Sequence, residues 1–175
     1  KRMCAKMLIS VSTWNLRLRH EFEAMQAFPI CDLFSWKVES GQKPPVVKAY
    51  RVTYHVKTMI CSSDGTLRPQ FRTEILITMP ENPSDKPTAR IVGGAIPYHP
   101  NIYPNGDFCI GNFWEKDPSL WHLVIRLGKV LAFSPDGTNP NSPANPAAAA
   151  DWNQKMRTSK PYPCGRVDFP HPVGY

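Results

Sequence analysis

The sequence predicts an α+β fold in which helices pack against one antiparallel sheet. Helical spacing of apolar residues near the start gives way to alternation of apolar and polar residues, and helical spacing returns near residue 120. The turns between the alternating runs are short, whereas parallel neighbours would need a crossover of about a dozen residues. With 175 residues, of which 42% are apolar and 20% charged, the chain fits one globular domain.

The first predicted helix carries an apolar stripe at spacings of four, four and three residues: Trp14, Leu18, Phe22 and Met25. Ser12 or Thr13 would cap its N-terminus, and Pro29 would end it. Its other face carries charged residues, among them Arg17 and Arg19. These charges form either a solvated face or a binding site for a partner.

Four alternating runs predict a four-stranded antiparallel meander. They cover residues 34–38, 50–60, 71–79 and 89–92. The turn-forming residues Gly, Pro, Ser and Asp cluster between the runs, at 41–45, 62–65 and 80–87. Each strand is therefore predicted to pair with the one before it.

The second half of the chain combines an irregular segment with two helices. Residues 93–118 are rich in Gly, Pro and Asn but also in aromatic residues, so they predict a coil that is packed down and shaped. The apolar spacing of 120–131 predicts a buried central helix. A second loop covers 134–143, and Asn145 with Pro146 starts one short C-terminal helix.

The whole chain, residues 1–175, is predicted to be one domain, with a core over about 12–158 and a Pro-rich tail over 159–175. No apolar run approaches the roughly 20 residues of a membrane span. The cysteines are odd in number and spread along the chain without a CxxC pair: Cys4, Cys31, Cys61, Cys109 and Cys164. Such usage is typical of a reducing cytosol, and it predicts a cytoplasmic protein without a metal or other cofactor.

The net charge of +7 raises nucleic acid or an acidic protein as candidate partners. The lysines and arginines are scattered, and no basic stretch is interleaved with aromatic residues as a groove for a nucleic-acid strand would need. The charge pattern therefore argues against nucleic acid. A mildly basic docking face for an acidic protein stays open.

Four motifs follow one another in the second half of the chain. Residues 98–101 read Tyr98, His99, Pro100 and Asn101, and Cys109 follows eight residues after Asn101. Trp121 opens the central helix, and residues 139–146 read Asn-Pro-Asn-Ser-Pro-Ala-Asn-Pro. In this order and spacing the sequence resembles the ubiquitin-conjugating enzymes, over roughly residues 12–158. The resemblance implies the ubiquitin-conjugating fold and places Cys109 in an active-site loop.

The resemblance also implies a chemistry. Enzymes of this family accept the C-terminal glycine of a ubiquitin-like protein from an activating enzyme, as a thioester on a cysteine, and pass it to an amine of a target protein. Cys109 matches the acceptor thiol, and Asn101 matches the residue that steadies the oxyanion or holds the cysteine loop. His99 is expected to fix the turn of the motif. Arg17 and Arg19 are expected to contact the activating enzyme.

Three departures from the family pattern qualify these expectations. Ser142 stands where family members often carry an acidic residue that orients the incoming lysine. Either Asp136 substitutes for it, or the acceptor lysine brings its own environment, or the reaction is slower. The loop over 79–87 lacks the large apolar anchor that docks ligases, so the need for a ligase is uncertain. Two C-terminal helices of the family are also missing.

These departures imply a minimal member, similar to the conjugating enzymes of bacterial ubiquitin-like operons, some of which serve antiphage defence. Three rival functions remain. The first is an inactive binding module of the same fold, and the second is a cysteine hydrolase in which Cys109 pairs with His99 or His122. A basic nucleic-acid binder is the third.

Overall fold

The structure, a computed structural model, describes residues 2–29, 31–116, 118–157 and 167–175, apart from the side chains of 2–12 and 116. The helices are α1 (Arg2–Gln26), α2 (Phe113–Lys116), α3 (Leu120–Leu131) and α4 (Pro146–Arg157). The strands are β1 (Phe34–Val38), β2 (Ala49–Tyr54), β3 (Thr58–Cys61), β4 (Leu67–Gln70), β5 (Thr73–Thr78) and β6 (Thr88–Gly93). The α+β fold with a four-stranded antiparallel sheet is confirmed.

The main sheet has the order β1-β2-β5-β6, with antiparallel neighbours throughout. Tyr50 lies opposite Ile77, and Ile77 lies opposite Ala89, so buried side chains line up across three strands. This alternation gives the sheet one apolar face, which the helices cover.

The prediction of one strand over 50–60 is wrong. β2 ends at Tyr54, and the chain then forms a separate hairpin of β3 and β4, with the predicted turn at 62–65 between them. Buried residues continue at every second position through Val56 and Thr58. The sequence alternation therefore persists across the point where the strand changes its partner, and alternation alone cannot show that change.

The start of the first helix also differs from the prediction. α1 begins at Arg2, well before Ser12 or Thr13. Residues 2–11 contain neither Gly nor Pro, so nothing in them stops a helix that extends backward from the apolar stripe. The stripe packs as predicted, because Trp14, Leu18 and Met25 are buried in the core.

α3 lies at the centre of the molecule. The six apolar residues that predicted it are all buried: Leu120, Leu123, Val124, Leu127, Val130 and Leu131. Its N-terminus is held by a side chain of α1, because the buried carboxylate of Glu21 accepts a hydrogen bond from the Leu120 amide at 2.8 Å. Burial raises the pKa of Glu21, while this bond and the nearby Arg17 guanidinium lower it. α1 and α3 are thus joined by a polar contact within the core.

The last described residues pack back onto the body of the protein. Phe169 is buried against α3, and a Cβ added at Gly128 would lie 2.3 Å from its ring. Val173 donates its amide hydrogen bond to the Ala27 carbonyl at 3.0 Å, and the His171 ring lies 5.5 Å from that of Trp121. Phe169 belongs to the main apolar cluster, so the core includes a residue beyond the expected range of 12–158. Residue 158 and residues 159–166 of the expected tail, Cys164 included, lie outside the described residues.

In the part of the chain that the structure describes, no helix combines the length and apolar character needed to cross a membrane. Over the same residues, no three His, Cys, Asp or Glu side chains are grouped so that they could hold a metal ion.

Candidate active site

The cysteine loop, residues 103–109, lies along the free edge of β6. The Ile91 amide donates to the Gly106 carbonyl at 3.0 Å, and the Phe108 amide donates to the Ala89 carbonyl at 2.9 Å. Gly106 has a φ of 90°, a left-handed conformation that favours glycine in this turn. The loop therefore covers an edge that would otherwise expose unpaired backbone groups, and it fixes the position of Cys109.

Cys109 lies where two grooves meet. The first groove, of about 570 Å³, runs between β5, β6 and the cysteine loop and includes Lys86 and Tyr103. The second, of about 530 Å³, runs toward α3 and the loop that follows it, and includes Asn101 and Ser142. The Cys109 thiol is half-buried and belongs to the lining of both.

The side chain of Asn101 ties two loops together. Its Nδ2 donates to the Asn139 carbonyl at 2.9 Å, and its Oδ1 accepts from the Asn139 amide at 2.7 Å. Its own carbonyl accepts the amide of Cys109 at 2.9 Å. Asn101 thus holds the cysteine loop through its main chain and the loop after α3 through its side chain. This geometry supports the loop-holding role, and the second hydrogen on Nδ2 leaves the oxyanion role open.

Pro100 adds a second anchor for the loop after α3. Its carbonyl accepts hydrogen bonds from the amides of Ala144 and Asn145, at 2.7 and 3.0 Å. The segment between α3 and α4 is therefore attached to the Tyr-His-Pro-Asn turn in its middle, at Asn139, and at its end next to α4.

His99 is a buried neutral ring. Its Nδ1 accepts the amide of Asn101 at 2.9 Å, so the ring proton lies on Nε2, 3.2 Å from the hydroxyl oxygen of Thr138. Burial and, to a smaller extent, the charge of Arg126 together lower the pKa of His99 to about 3. Both ring nitrogens have partners, and neither is a base at neutral pH. The contacts support the expected role of His99 in fixing the turn.

The two candidates for the lysine gate lie in different places. Ser142 is exposed and lines the second groove together with Cys109. Asp136 pairs with Lys129, with Oδ2 and Nζ 2.6 Å apart, and it does not line either groove. The hydrogen bond from Lys129 lowers the pKa of Asp136. The structure therefore places Ser142 in a groove that Cys109 also lines, and Asp136 outside that lining.

Tyr98 and Trp121 support the site from outside its lining. The amide of Tyr98 donates to the Met59 carbonyl at 2.8 Å, which joins the motif to the β3–β4 hairpin. The Trp121 ring packs on the core and against His122 and His171. The main chain of Tyr98 thus ties the Tyr-His-Pro-Asn turn to the hairpin, and the Trp121 ring packs at the start of α3.

Comparison with curated proteins finds related sequences. Over 93 residues the chain is 32% identical to ubiquitin-conjugating enzyme E2 7 of Triticum aestivum, a stretch that covers 46% of this chain and 54% of that protein. Over 95 residues it is 33% identical to ubiquitin-conjugating enzyme E2 13 of Arabidopsis thaliana, which covers 46% of this chain and 55% of that protein. The chain thus spans about half the length of the curated relatives it matches. No family model matches the sequence.

Solved structures share the fold. One described as a novel ubiquitin-conjugating enzyme superposes with a TM-score of 0.55 at 18% identity, covering 83% of this chain and 88% of that one. The E2 domain of a Toxoplasma gondii ubiquitin conjugating enzyme gives a TM-score of 0.51 at 18% identity, covering 83% and 92%. Over about half of its length the chain is similar in sequence to ubiquitin-conjugating enzymes, and it shares their fold. The resemblance drawn from the motifs is confirmed at that level, and the ubiquitin-conjugating fold is confirmed with it.

The expected contacts for an activating enzyme do not lie on one surface of the protein. Arg17 and Arg19 are two residues apart, which places them about 200° apart around a helix. Arg17 pairs with the buried Glu21 at 3.1 Å, and its guanidinium lies 5.7 Å from the ring centre of Trp114. Arg19 is exposed. Only Arg19 thus presents its charge to solvent without such contacts to the core.

Two residues of the site went unnoticed in the sequence. Tyr103 lies close enough to the Cys109 sulfur that the charge of the thiolate and a side-chain hydrogen bond raise the pKa of Tyr103. Arg126 projects from α3 into the second groove, with its guanidinium 5.6 Å from the Phe113 ring centre. Its position within an otherwise apolar stretch of the central helix was the one sequence signal for Arg126.

Proposed function

We propose that this chain accepts the C-terminal glycine of a ubiquitin-like protein as a thioester on Cys109 and transfers it to an amine of a target protein, such as a lysine. The observation that carries the proposal is the place of Cys109 at the meeting point of two grooves, on a loop held by Asn101. A thiol in this position can be reached from two sides.

The two grooves suit two substrates. The first groove lies along the sheet edge and is the better place for an extended glycine-ended tail. The second groove contains Asn101 and Ser142, which offer hydrogen bonds to an amine and to a developing oxyanion. We assign the carrier tail to the first groove and the acceptor to the second.

The chemistry is two acyl transfers. The Cys109 thiolate attacks the carbonyl carbon of the activating enzyme's thioester, a new C–S bond forms, and the old sulfur leaves as thiolate. A neutral amine then attacks the same carbon, a C–N bond forms, and the Cys109 sulfur leaves with the electron pair while the nitrogen loses a proton to solvent. Tyr103 can donate its hydroxyl hydrogen to the sulfur when it carries negative charge.

Ser142 would contact the incoming amine but supplies no charge. Asp136 is held by Lys129 and lies outside the groove lining, so its substitution for the missing acid receives no support from the geometry. The two remaining explanations are that the acceptor brings its own environment and that the reaction is slow.

The wider setting follows from the same proposal. The expected partners are the ubiquitin-like protein, an activating enzyme that uses ATP, and a target protein, while a ligase stays uncertain. A cytoplasmic location is a prediction from the cysteine usage, whereas a bacterial operon and a part in antiphage defence are predictions from the resemblance. The genes that flank the coding sequence would test the last two.

The test is a thioester assay. The chain is incubated with an activating enzyme, a ubiquitin-like protein and ATP, and the products are separated on a non-reducing gel. We expect an adduct that a reductant removes, that is absent in Cys109→Ala, and that becomes a reductant-resistant ester in Cys109→Ser. Cys61→Ala is the matched control, because Cys61 is another free thiol, exposed on the β3–β4 hairpin.

Three results would contradict the proposal. A reducible adduct that persists in Cys109→Ala would place the acceptor elsewhere, and a chain that never forms an adduct would favour an inactive binding module. Hydrolysis of an ester without any adduct would indicate a cysteine hydrolase. Against the hydrolase stands the geometry: His99 is neutral and fully engaged, His122 bonds to Ser119 at 2.7 Å, and the described lining of both grooves contains no histidine.

A further inference from the structure

Arg126 is a cation that the fold holds in the same groove as the Cys109 thiol. Its guanidinium stacks near the Phe113 ring and donates a hydrogen bond to the main-chain carbonyl of Asp136. It lines the second groove together with Cys109 and Ser142. Partial burial lowers the pKa of Arg126, against the opposite influence of Asp136, so this charge is kept at some cost in solvation.

Within the described residues, no carboxylate forms an ion pair with the Arg126 guanidinium. The carboxylate of Asp136 bonds to Lys129, which leaves only its carbonyl for Arg126. A guanidinium has five N–H donors, and within the described residues one of them has an acceptor. The described lining of the second groove contains no Asp or Glu.

The first groove is different in this respect. Its two cations are both paired: Lys86 lies 2.8 Å from Glu115, and Arg90 lies 2.6 Å from Asp107. An unmatched cation is therefore a property of the second groove, on the side that the proposed function gives to the acceptor.

We propose that Arg126 is an anion subsite for the acceptor, and that it takes a carboxylate side chain near the target lysine. The inference rests on the proposed function, since it concerns the groove assigned to the acceptor. An approaching ammonium group meets a like charge in this groove, and no acidic wall residue offsets it. An acceptor with its own Asp or Glu supplies the missing charge, because a carboxylate can accept two parallel N–H bonds from the guanidinium. The groove, at about 530 Å³, has room for a lysine and one neighbouring side chain.

The experiment loads Cys109 without any natural partner. The full chain is incubated with the mercaptoethanesulfonate thioester of acetyl-Gly-Gly, so that transthioesterification acylates Cys109, and the acylated chain is isolated. It is then mixed with one of two peptides, Glu-Ala-Lys-Ala-Glu or Gln-Ala-Lys-Ala-Gln, both with blocked termini. Loss of the acyl group from the chain and its gain by the peptide are followed by mass spectrometry.

We expect the glutamate peptide to accept the acyl group about tenfold faster at low salt, the factor that a charge-assisted hydrogen bond of about 1.4 kcal/mol supplies. Arg126→Gln should remove the difference in rate between the two peptides. In Arg126→Glu, a peptide with arginine in place of glutamate should become the faster acceptor. Arg68→Gln is the control, because Arg68 lies on the separate hairpin with its side chain 62% exposed. If Arg126→Gln does not fold, Arg126→Lys should keep part of the preference, since it keeps the charge without the planar fork.

Several outcomes would overturn the inference. Equal rates for both peptides with the unaltered chain would do so. Equal slowing of both peptides by Arg126→Gln would instead assign Arg126 to the oxyanion of the transfer step. Failure of Cys109 to take up the acyl group at all would count against the proposed function itself, and it is recognised before either peptide is added.

Discussion

The buried ring of His99 makes the stability of this fold sensitive to mild acid. In the folded chain its pKa is lowered to about 3, whereas an unfolded histidine titrates near 6.5. Below pH 6.5 the unfolded chain therefore binds a proton that the folded chain does not. The contribution of the neutral ring to stability is fully present above pH 6.5 and is lost as the pH falls.

The size of this effect follows from linkage. Each pH unit between the two pKa values lowers the free energy of unfolding by about 1.4 kcal/mol. From pH 7 to pH 5 the loss from His99 amounts to about 2 kcal/mol, and this figure does not depend on the folded value as long as that value lies below about 4. In a domain with about 10 kcal/mol of stability this is a large fraction.

The measurement compares two chains at two pH values. Urea unfolding at pH 7 and pH 5 gives the free energies of unfolding of the unaltered chain and of His99→Asn, and the difference between their pH slopes isolates His99 from the carboxylates. We expect the free energy of unfolding to fall by about 2 kcal/mol less between pH 7 and pH 5 in His99→Asn than in the unaltered chain. Equal slopes would refute the reasoning. If His99→Asn is too unstable, NMR titration of the ring decides, since a midpoint near pH 6 in the folded chain would contradict its burial.

Three further changes test other contacts. Gly128→Ala should lower the free energy of unfolding by about 2 kcal/mol through overpacking against Phe169, and should be nearly neutral in a Phe169→Ala background; an unchanged urea midpoint would contradict that packing. Glu21→Ala should cost about 2–3 kcal/mol in urea unfolding, and Glu21→Gln much less, because the amide carbonyl still accepts the α3 amide; equal losses would show that the charge matters more than this bond. Tyr103→Phe should slow alkylation of Cys109 by iodoacetamide about fivefold, as expected for a lost hydrogen bond of about 1 kcal/mol, and equal rates would mean that the hydroxyl does not stabilise the thiolate.

The helices and strands were predictable where a segment keeps one packing partner over the whole of its apolar pattern. The central helix and the four strands of the main sheet follow from apolar spacing, because each buries one face against the same core. The β3–β4 hairpin was missed because Val56 and Thr58 stay buried after the chain has left the main sheet. The packing of Phe169 was missed as well, since a single aromatic residue among prolines carries no periodic signal.

The order of the site residues along the chain was predictable, but the contacts between their side chains were not. Cys109, Asn101 and Ser142 follow from the motifs, and the structure brings all three to one groove. Nothing in the sequence shows that Lys129 engages the carboxylate of Asp136, because that pairing depends on how the loop folds back over α3. Nor does the sequence show that Arg126 lines the same groove as Cys109, because that placement is a result of tertiary packing.

The reciprocal pair of hydrogen bonds between Asn101 and Asn139 has a consequence for binding. Flexible walls lose conformational entropy when they close around a substrate, and that loss weakens affinity at every encounter. Here the segment after α3 is already fastened to the cysteine loop when the chain folds. The second groove is therefore preorganised, and under the proposed function an arriving amine needs to lose only its own freedom of motion before it reacts.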